Sequence, residues 1–104
     1  SELLKERYAL DEAHREIQTE INAALALYQG SLEQFELLKN DMLPLAQQNV
    51  AASLSAYQVG KADFQSVIQA QNAWFDYQTQ YWQALAEAHQ ALAQLAAAVG
   101  RDAL

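Results

Sequence analysis

Apolar residues recur at every seventh position through the first half of the chain. A second series runs between them, so that the positions alternate four and three residues apart, which is the spacing of a coiled-coil seam. The series, in which Ser31 and Asn49 are polar, are Leu3, Leu10, Ile17, Ala24, Ser31, Leu38, Leu45 and Ala52, and Ile21, Tyr28, Phe35, Met42 and Asn49. The pattern predicts one long helix over about residues 2–58.

Two residues interrupt this helical pattern. Gly30 costs about 1 kcal/mol relative to alanine in a helix, and Pro44 removes a backbone donor and kinks the helix or starts a new segment. Because neither lies in a polar loop, we expect a bent helix. The clear break falls at residues 58–63, where Gly60 can adopt the left-handed C-cap conformation and Asp63 can cap the next helix.

The second helix is predicted over about residues 64–99 and closed by Gly100. Its apolar residues cover too much of its circumference for one partner, so we expect further neighbours or self-association through Phe75, Tyr81 and Trp82. Its three stripes are Phe64, Gln71, Gln78, Leu85, Leu92 and Val99; Ile68, Phe75, Trp82, His89 and Ala96; and Val67, Trp74, Tyr81, Ala88 and Leu95. The fold class is therefore an all-α, long antiparallel two-helix coiled-coil hairpin, and oligomerisation of the fragment is a separate expectation.

Composition narrows the classes of function. A net charge of −7 argues against nucleic acid as a partner, because phosphate binding needs clustered lysine and arginine. Cysteine is absent, which excludes disulfides and thiolate metal sites. His14 and His89 lie on different helices, and His89 falls on an apolar stripe, which favours a packing histidine over a metal ligand. We therefore expect no enzyme activity, cofactor or metal.

An aromatic group on the second helix has two interpretations. Trp74 and Tyr81 are one heptad apart, and so are Phe75 and Trp82, which favours a helix seam. The alternative is a ligand cage, to which Tyr77 would also contribute. A seam of this kind fits an interface between subunits, where tryptophan and tyrosine are common.

Three motifs resemble the C-terminal half of the outer-membrane efflux channels of the TolC family. That family typically has LP-x-A-x-Q, then Y-x-x-G-K-x-x-F, then V-L-D-A-Q, and the resemblance covers about residues 16–100. The matching segments here are Leu43-Pro44-Leu45-Ala46-Gln47-Gln48, Tyr57-Gln58-Val59-Gly60-Lys61-Ala62-Asp63-Phe64 and Val67-Ile68-Gln69-Ala70-Gln71.

The resemblance implies a trimeric channel with a β-barrel in the outer membrane and an α-helical barrel in the periplasm. The hairpin would be part of that helical barrel, and its turn would contact the periplasmic adaptor protein of an inner-membrane pump. Carried over to this chain, Tyr57, Val59, Gly60 and Lys61 form the adaptor-contact tip. The alternative interpretation of these four residues is a plain helix C-cap with no partner.

The sequence departs from the family just after the turn. In the best-known member of the family, acidic rings narrow the channel entrance, and the matching positions here are Ser66 and Gln69. An arginine that helps to latch the closed tip in that member corresponds to Ala62. Asp63 is the one carboxylate nearby, so the entrance-facing candidates are Asp63, Ser66 and Gln69. The expected function is export of solutes through periplasm and outer membrane; the alternative is a structural homo-oligomeric coiled-coil scaffold with no transport role.

Overall fold

The chain is an all-α helical hairpin, which confirms the predicted fold class. The computed structural model describes residues 1–103. Its first arm contains α1 (Glu2–Leu37), a π-helical turn (Leu38–Met42) and α2 (Leu43–Gln58). Its second arm is α3 (Phe64–Asp102). No strand occurs in residues 1–103. Residues 1–103 divide into two compact units, one formed by residues 1–30 and 87–103 and the other by residues 31–86.

In the first unit, residues 17–30 of α1 pack against the end of α3, and the most buried side chains there are alanines. Ala91 is 0% exposed and Ala98 1%, and Ala24 and Ala88 are buried as well. Polar pairs lie beside this alanine line: the Arg101 guanidinium pairs with Glu20, and His14 Nδ1 lies 3.8 Å from Asp102 Oδ1. Residues 1–16 are all exposed.

The second helix does not close at Gly100, contrary to the prediction. It continues through Gly100 to Asp102, and the Ala103 amide still donates to Val99 O at 3.1 Å. Gly100 has no positive φ, which is the conformation that a glycine C-cap uses. Arg101 and Asp102 both lie beside partners on α1, so α3 continues to where α1 still offers polar contacts.

In the second unit, the seam contains larger residues. Leu38 is 1% exposed, and Ser31, Ala46, Val67 and Ala84 are buried as well. The Phe35 ring stacks on the Tyr81 ring with centroids 4.9 Å apart. The predicted seam therefore holds from Ile17 to Met42, both of which are half-buried. It is wrong for Leu3 and Leu10, which are 78% and 60% exposed, because α3 ends at Asp102, beside His14.

Beyond Met42 the predicted seam is wrong. Leu45 is 52% exposed, and Asn49 and Ala52 are exposed too, although all three were expected in the seam. The buried or half-buried residues are instead Ala46, Val50 and Ser53, each one position later. The π-helical turn explains the shift, because it contains one residue more than an α-helical turn and so displaces the heptads that follow it.

Proline causes this turn locally. Pro44 has no amide hydrogen, and in a regular α-helix its ring would meet the carbonyl of Asn40. Here the Leu43 amide donates to Leu38 O, five residues back, and Pro44 occupies the start of α2, where no donor is required. The long first arm thus stays helical through the proline.

The wide apolar surface of α3 is only partly covered. Of the three predicted stripes, the one containing Val67, Trp74 and Tyr81 packs in the second unit. An alanine face that the stripes did not include packs in both units. Phe75 and Trp82 stay exposed, as predicted, whereas Tyr81 is half-buried against Phe35, which corrects its assignment to the exposed surface. The alanine face comprises Ala70, Ala84, Ala91 and Ala98.

His89 is exposed, so its assignment as a packing histidine is wrong. It belongs to the same outward stripe as Phe75 and Trp82, which α1 does not cover. The seam of α3 in the first unit passes instead through its neighbour Ala88, which is 7% exposed.

Candidate functional site

The turn between α2 and α3 is built from two complementary helix caps. At the end of α2, the Lys61 amide donates to Ala56 O at 2.8 Å and the Gly60 amide donates to Tyr57 O at 3.0 Å. These two hydrogen bonds define a Schellman motif, in which the residue at the Gly60 position is left-handed. Gly60 has φ 76°, the one positive φ in residues 1–103, which confirms the predicted C-cap.

Asp63 caps the start of α3, as predicted. Its Oδ1 accepts from the Ser66 amide at 3.0 Å and from the Ser66 hydroxyl at 2.8 Å. The hydroxyl and then the amide of Ser66 favour the ionised carboxylate, so they lower the pKa of Asp63 below its ordinary value of 3.8. Both ends of the turn are therefore fixed by hydrogen bonds, although the turn itself lies in solvent.

The tip residues predicted from the sequence lie together on this turn and are exposed. Val59 is the C-cap of α2 and is 68% exposed, and Lys61 is exposed beside it. Tyr57 is 44% exposed, and its ring lies 5.5 Å from the ring of Phe64 at a tilted angle. We call Tyr57, Val59 and Phe64 the tip patch.

Phe64 was not among the predicted tip residues. It was placed on a stripe of α3, yet it is 56% exposed and contacts Tyr57 across the turn. The signal was present in the sequence: one aromatic residue precedes the Gly60 turn and another follows it. Two rings placed this way enlarge the apolar surface beside Val59.

The three entrance-facing candidates occupy different surroundings. Asp63 and Ser66 are bonded to each other as the α3 cap. Gln69 is exposed and, with Ser66, lines an open groove of about 450 Å³ between α2 and α3. Asn49 and Ser53 line the opposite side of this groove. Ser66 and Gln69 thus share a groove with both polar and apolar lining residues, while the carboxylate of Asp63 is engaged in capping.

The described residues hold no cluster of three or more histidine, cysteine, aspartate or glutamate side chains arranged to bind a metal. Within residues 1–103, no helix has a segment both long enough and apolar enough to pass through a membrane. The chain matches no protein-family model, no curated protein and no solved structure. The function proposed below therefore depends on the motifs of the chain and the geometry of its turn.

Proposed function

We propose that this hairpin is part of a TolC-family outer-membrane efflux channel and that its turn docks the periplasmic adaptor of a tripartite pump. The full-length protein would be a homotrimer whose helical barrel lies in the periplasm. It would export solutes through periplasm and outer membrane, driven by an inner-membrane pump. The hairpin has no catalytic role in this proposal.

The exposed tip patch is the observation that carries the proposal. A tight helical turn needs Gly60 and Asp63, but it does not need an apolar residue at the C-cap. Val59 is nevertheless 68% exposed, and the rings of Tyr57 and Phe64 lie at the same turn. Apolar surface that is held rigidly at the end of a hairpin is typical of a protein contact.

The polar residue of the tip adds to this support. Lys61 is exposed and directly follows Gly60, so its ammonium group can reach a carboxylate or backbone carbonyl of a docked protein. The Schellman motif and the Asp63 cap order the backbone around it before any partner arrives. Such pre-organisation lowers the entropy that docking would cost.

The outward surface of α3 also supports assembly. Phe75 is 59% exposed, Trp82 64% and Leu92 46%, on a helix with only Asp63, Asp76 and Glu87 charged between residues 62 and 98. Neighbouring hairpins in a barrel would cover this surface. A homo-oligomeric scaffold would cover it equally well, so this surface favours assembly without choosing between the two functions.

The substitution Val59→Asp in the full-length protein tests the proposal. We expect export to be lost while expression and trimer assembly are retained, because the adaptor contact would have to desolvate a carboxylate in each subunit. In the 104-residue chain the same change should alter the free energy of unfolding by less than about 1 kcal/mol, as is usual at exposed sites.

The control is Val59→Thr, which preserves the shape of the side chain and adds no charge; it should retain most of the export activity. Export that survives Val59→Asp would refute the adaptor contact and favour the scaffold. A large loss of stability in the 104-residue chain would instead place Val59 in the folded core.

A further inference from the structure

The sequence of α2 contains two overlapping seams. Counting heptads from Leu38 without interruption leads to Leu45 and Ala52, with Asn49 between them. The structure uses the set one position later, in which Ala46 is 4% exposed and Val50 and Ser53 are half-buried. We call the uninterrupted set the α-register and the set that the structure uses the π-register. The uninterrupted set includes Leu45, which is 52% exposed, so its apolar surface does not contribute to the seam in the structure.

One residue separates the two registers. Conversion of the π-helical turn at Leu38–Met42 into α-helix would move every following residue by one position, which corresponds to a rotation of about 100° around the axis of α2. Leu45, Asn49 and Ala52 would then face α3. In the structure, the same three residues line the groove of about 450 Å³. The register of α2 therefore determines whether this groove is present.

Two residues oppose the α-register. Pro44 cannot donate to Asn40 O, and its ring would collide with that carbonyl in a regular α-helix. Asn49 would be carried into the seam, where its amide would lose water. In the structure, Pro44 lies at the start of α2 and Asn49 is exposed. Both are thus accommodated only by the π-register.

We propose that Leu38–Met42 is a register switch: Pro44 and Asn49 together hold α2 in the π-register, and replacing both allows α2 to take the α-register. This change of register rotates α2, moves Leu45 between groove and seam, and opens or closes the groove beside Ser66 and Gln69. This proposal does not depend on the efflux function, because it concerns only the packing of α2 against α3.

Cysteine accessibility tests the switch, since the chain has no cysteine of its own. The thiols introduced by Leu45→Cys and by Ala46→Cys are compared for their rate of reaction with a maleimide in the otherwise unchanged 104-residue chain. The first should react about tenfold faster than the second, as exposure controls thiol access. In the Pro44→Ala/Asn49→Leu background the order of the two rates should reverse.

A matched control places the same leucine outside both seams. Gln47 is exposed and belongs to neither register, so Pro44→Ala/Gln47→Leu should keep the original order. An unchanged order in a folded Pro44→Ala/Asn49→Leu chain, with helix content verified by circular dichroism, would overturn the proposal. So would a reversal in the Gln47 control, because the added leucine would then act without regard to register.

A deletion gives a second test that does not depend on the folding of the double substitution. Removing Asn40 in the Pro44→Ala background takes out the extra residue of the π-helical turn. A continuous α-helix then carries position 46 into the seam, so the thiol from Ala46→Cys should stay protected and the thiol from Leu45→Cys should stay reactive. Protection of the Leu45→Cys thiol in this deletion would overturn the proposal.

Discussion

The two departures from regular α-helix in the second unit have opposite origins. The turn at residues 59–63 is specified by the residues inside it: Gly60 takes a positive φ and Asp63 accepts the amide of Ser66. The π-helical turn at Leu38–Met42 contains no residue that demands it. Its causes are Pro44, which follows it, and the packing of the seam on either side. The turn at residues 59–63 therefore results from the chemistry of its own residues, whereas the π-helical turn results from constraints imposed by residues outside it.

Truncation of Leu38 should have the largest effect on this contrast. Leu38 is 1% exposed at the start of the π-helical turn, so Leu38→Ala should reduce the free energy of unfolding by about 2–5 kcal/mol. Its neighbour Leu37 is 46% exposed, and Leu37→Ala should cost less than about 1 kcal/mol. Urea unfolding of both variants measures the difference. Equal losses would mean that seam packing does not hold this turn.

Gly60→Ala and Gly30→Ala should change the free energy of unfolding by less than Leu38→Ala does, and the two changes should have opposite signs. At Gly60, φ 76° disfavours any side chain although space is free, so Gly60→Ala should destabilise the hairpin by about 1 kcal/mol. At Gly30, which is helical with equally free space, Gly30→Ala should stabilise it by about 1 kcal/mol. Thermal unfolding distinguishes them, and a shared sign would show that Gly60 is not held in the left-handed conformation.

The smallest effect is expected from the charge of Asp63. Because the pKa of Asp63 is lowered in the folded hairpin, its carboxylate stabilises the fold above the ordinary value of 3.8, and this contribution is lost as pH falls through the lowered value. Asp63→Asn should therefore lower the thermal midpoint slightly at about pH 6, and the deficit should vanish at about pH 2.

The control for this titration is Asp76→Asn, which removes a carboxylate from the middle of α3 and leaves the cap intact. Its thermal midpoint at about pH 6 should not fall as that of Asp63→Asn does, because the Ser66 amide keeps its acceptor. A deficit for Asp63→Asn that persisted at low pH would point to geometry of the cap, and not to its charge, as the stabilising factor.

Most of the fold could be predicted from the sequence because helical periodicity and cap residues are local signals. Gly60 and Asp63 predict the turn, and the heptads predict the seam correctly from Ile17 to Met42, although not at Leu3 and Leu10. Beyond Met42 the heptad prediction of the seam is wrong. It assumes an unbroken α-helix, whereas Pro44 makes the segment just before it, Leu38–Met42, π-helical. The adaptor-contact function of the tip stays a prediction.

Two further errors have physical explanations. The predicted stripes do not include the alanine face of α3 because they follow the large apolar residues, yet Ala91 is 0% exposed while Trp82 is 64% exposed. Close packing of the helices favours the small residue. Gly100 was assigned as a helix end because glycine often is one, but the pairs made by Arg101 and Asp102 depend on residues far away in the sequence.

The alanine line of the first unit has a calorimetric consequence. Each of Ala24, Ala88, Ala91 and Ala98 withdraws little more than one methyl group from water. The heat capacity increment of unfolding grows with the apolar area that is exposed, so this part of the hairpin contributes little to it. A small increment reduces the curvature of the dependence of stability on temperature. The alanine-packed end of the hairpin should therefore keep gaining stability almost linearly on cooling, without the optimum and the loss at low temperature that a large apolar core would give it.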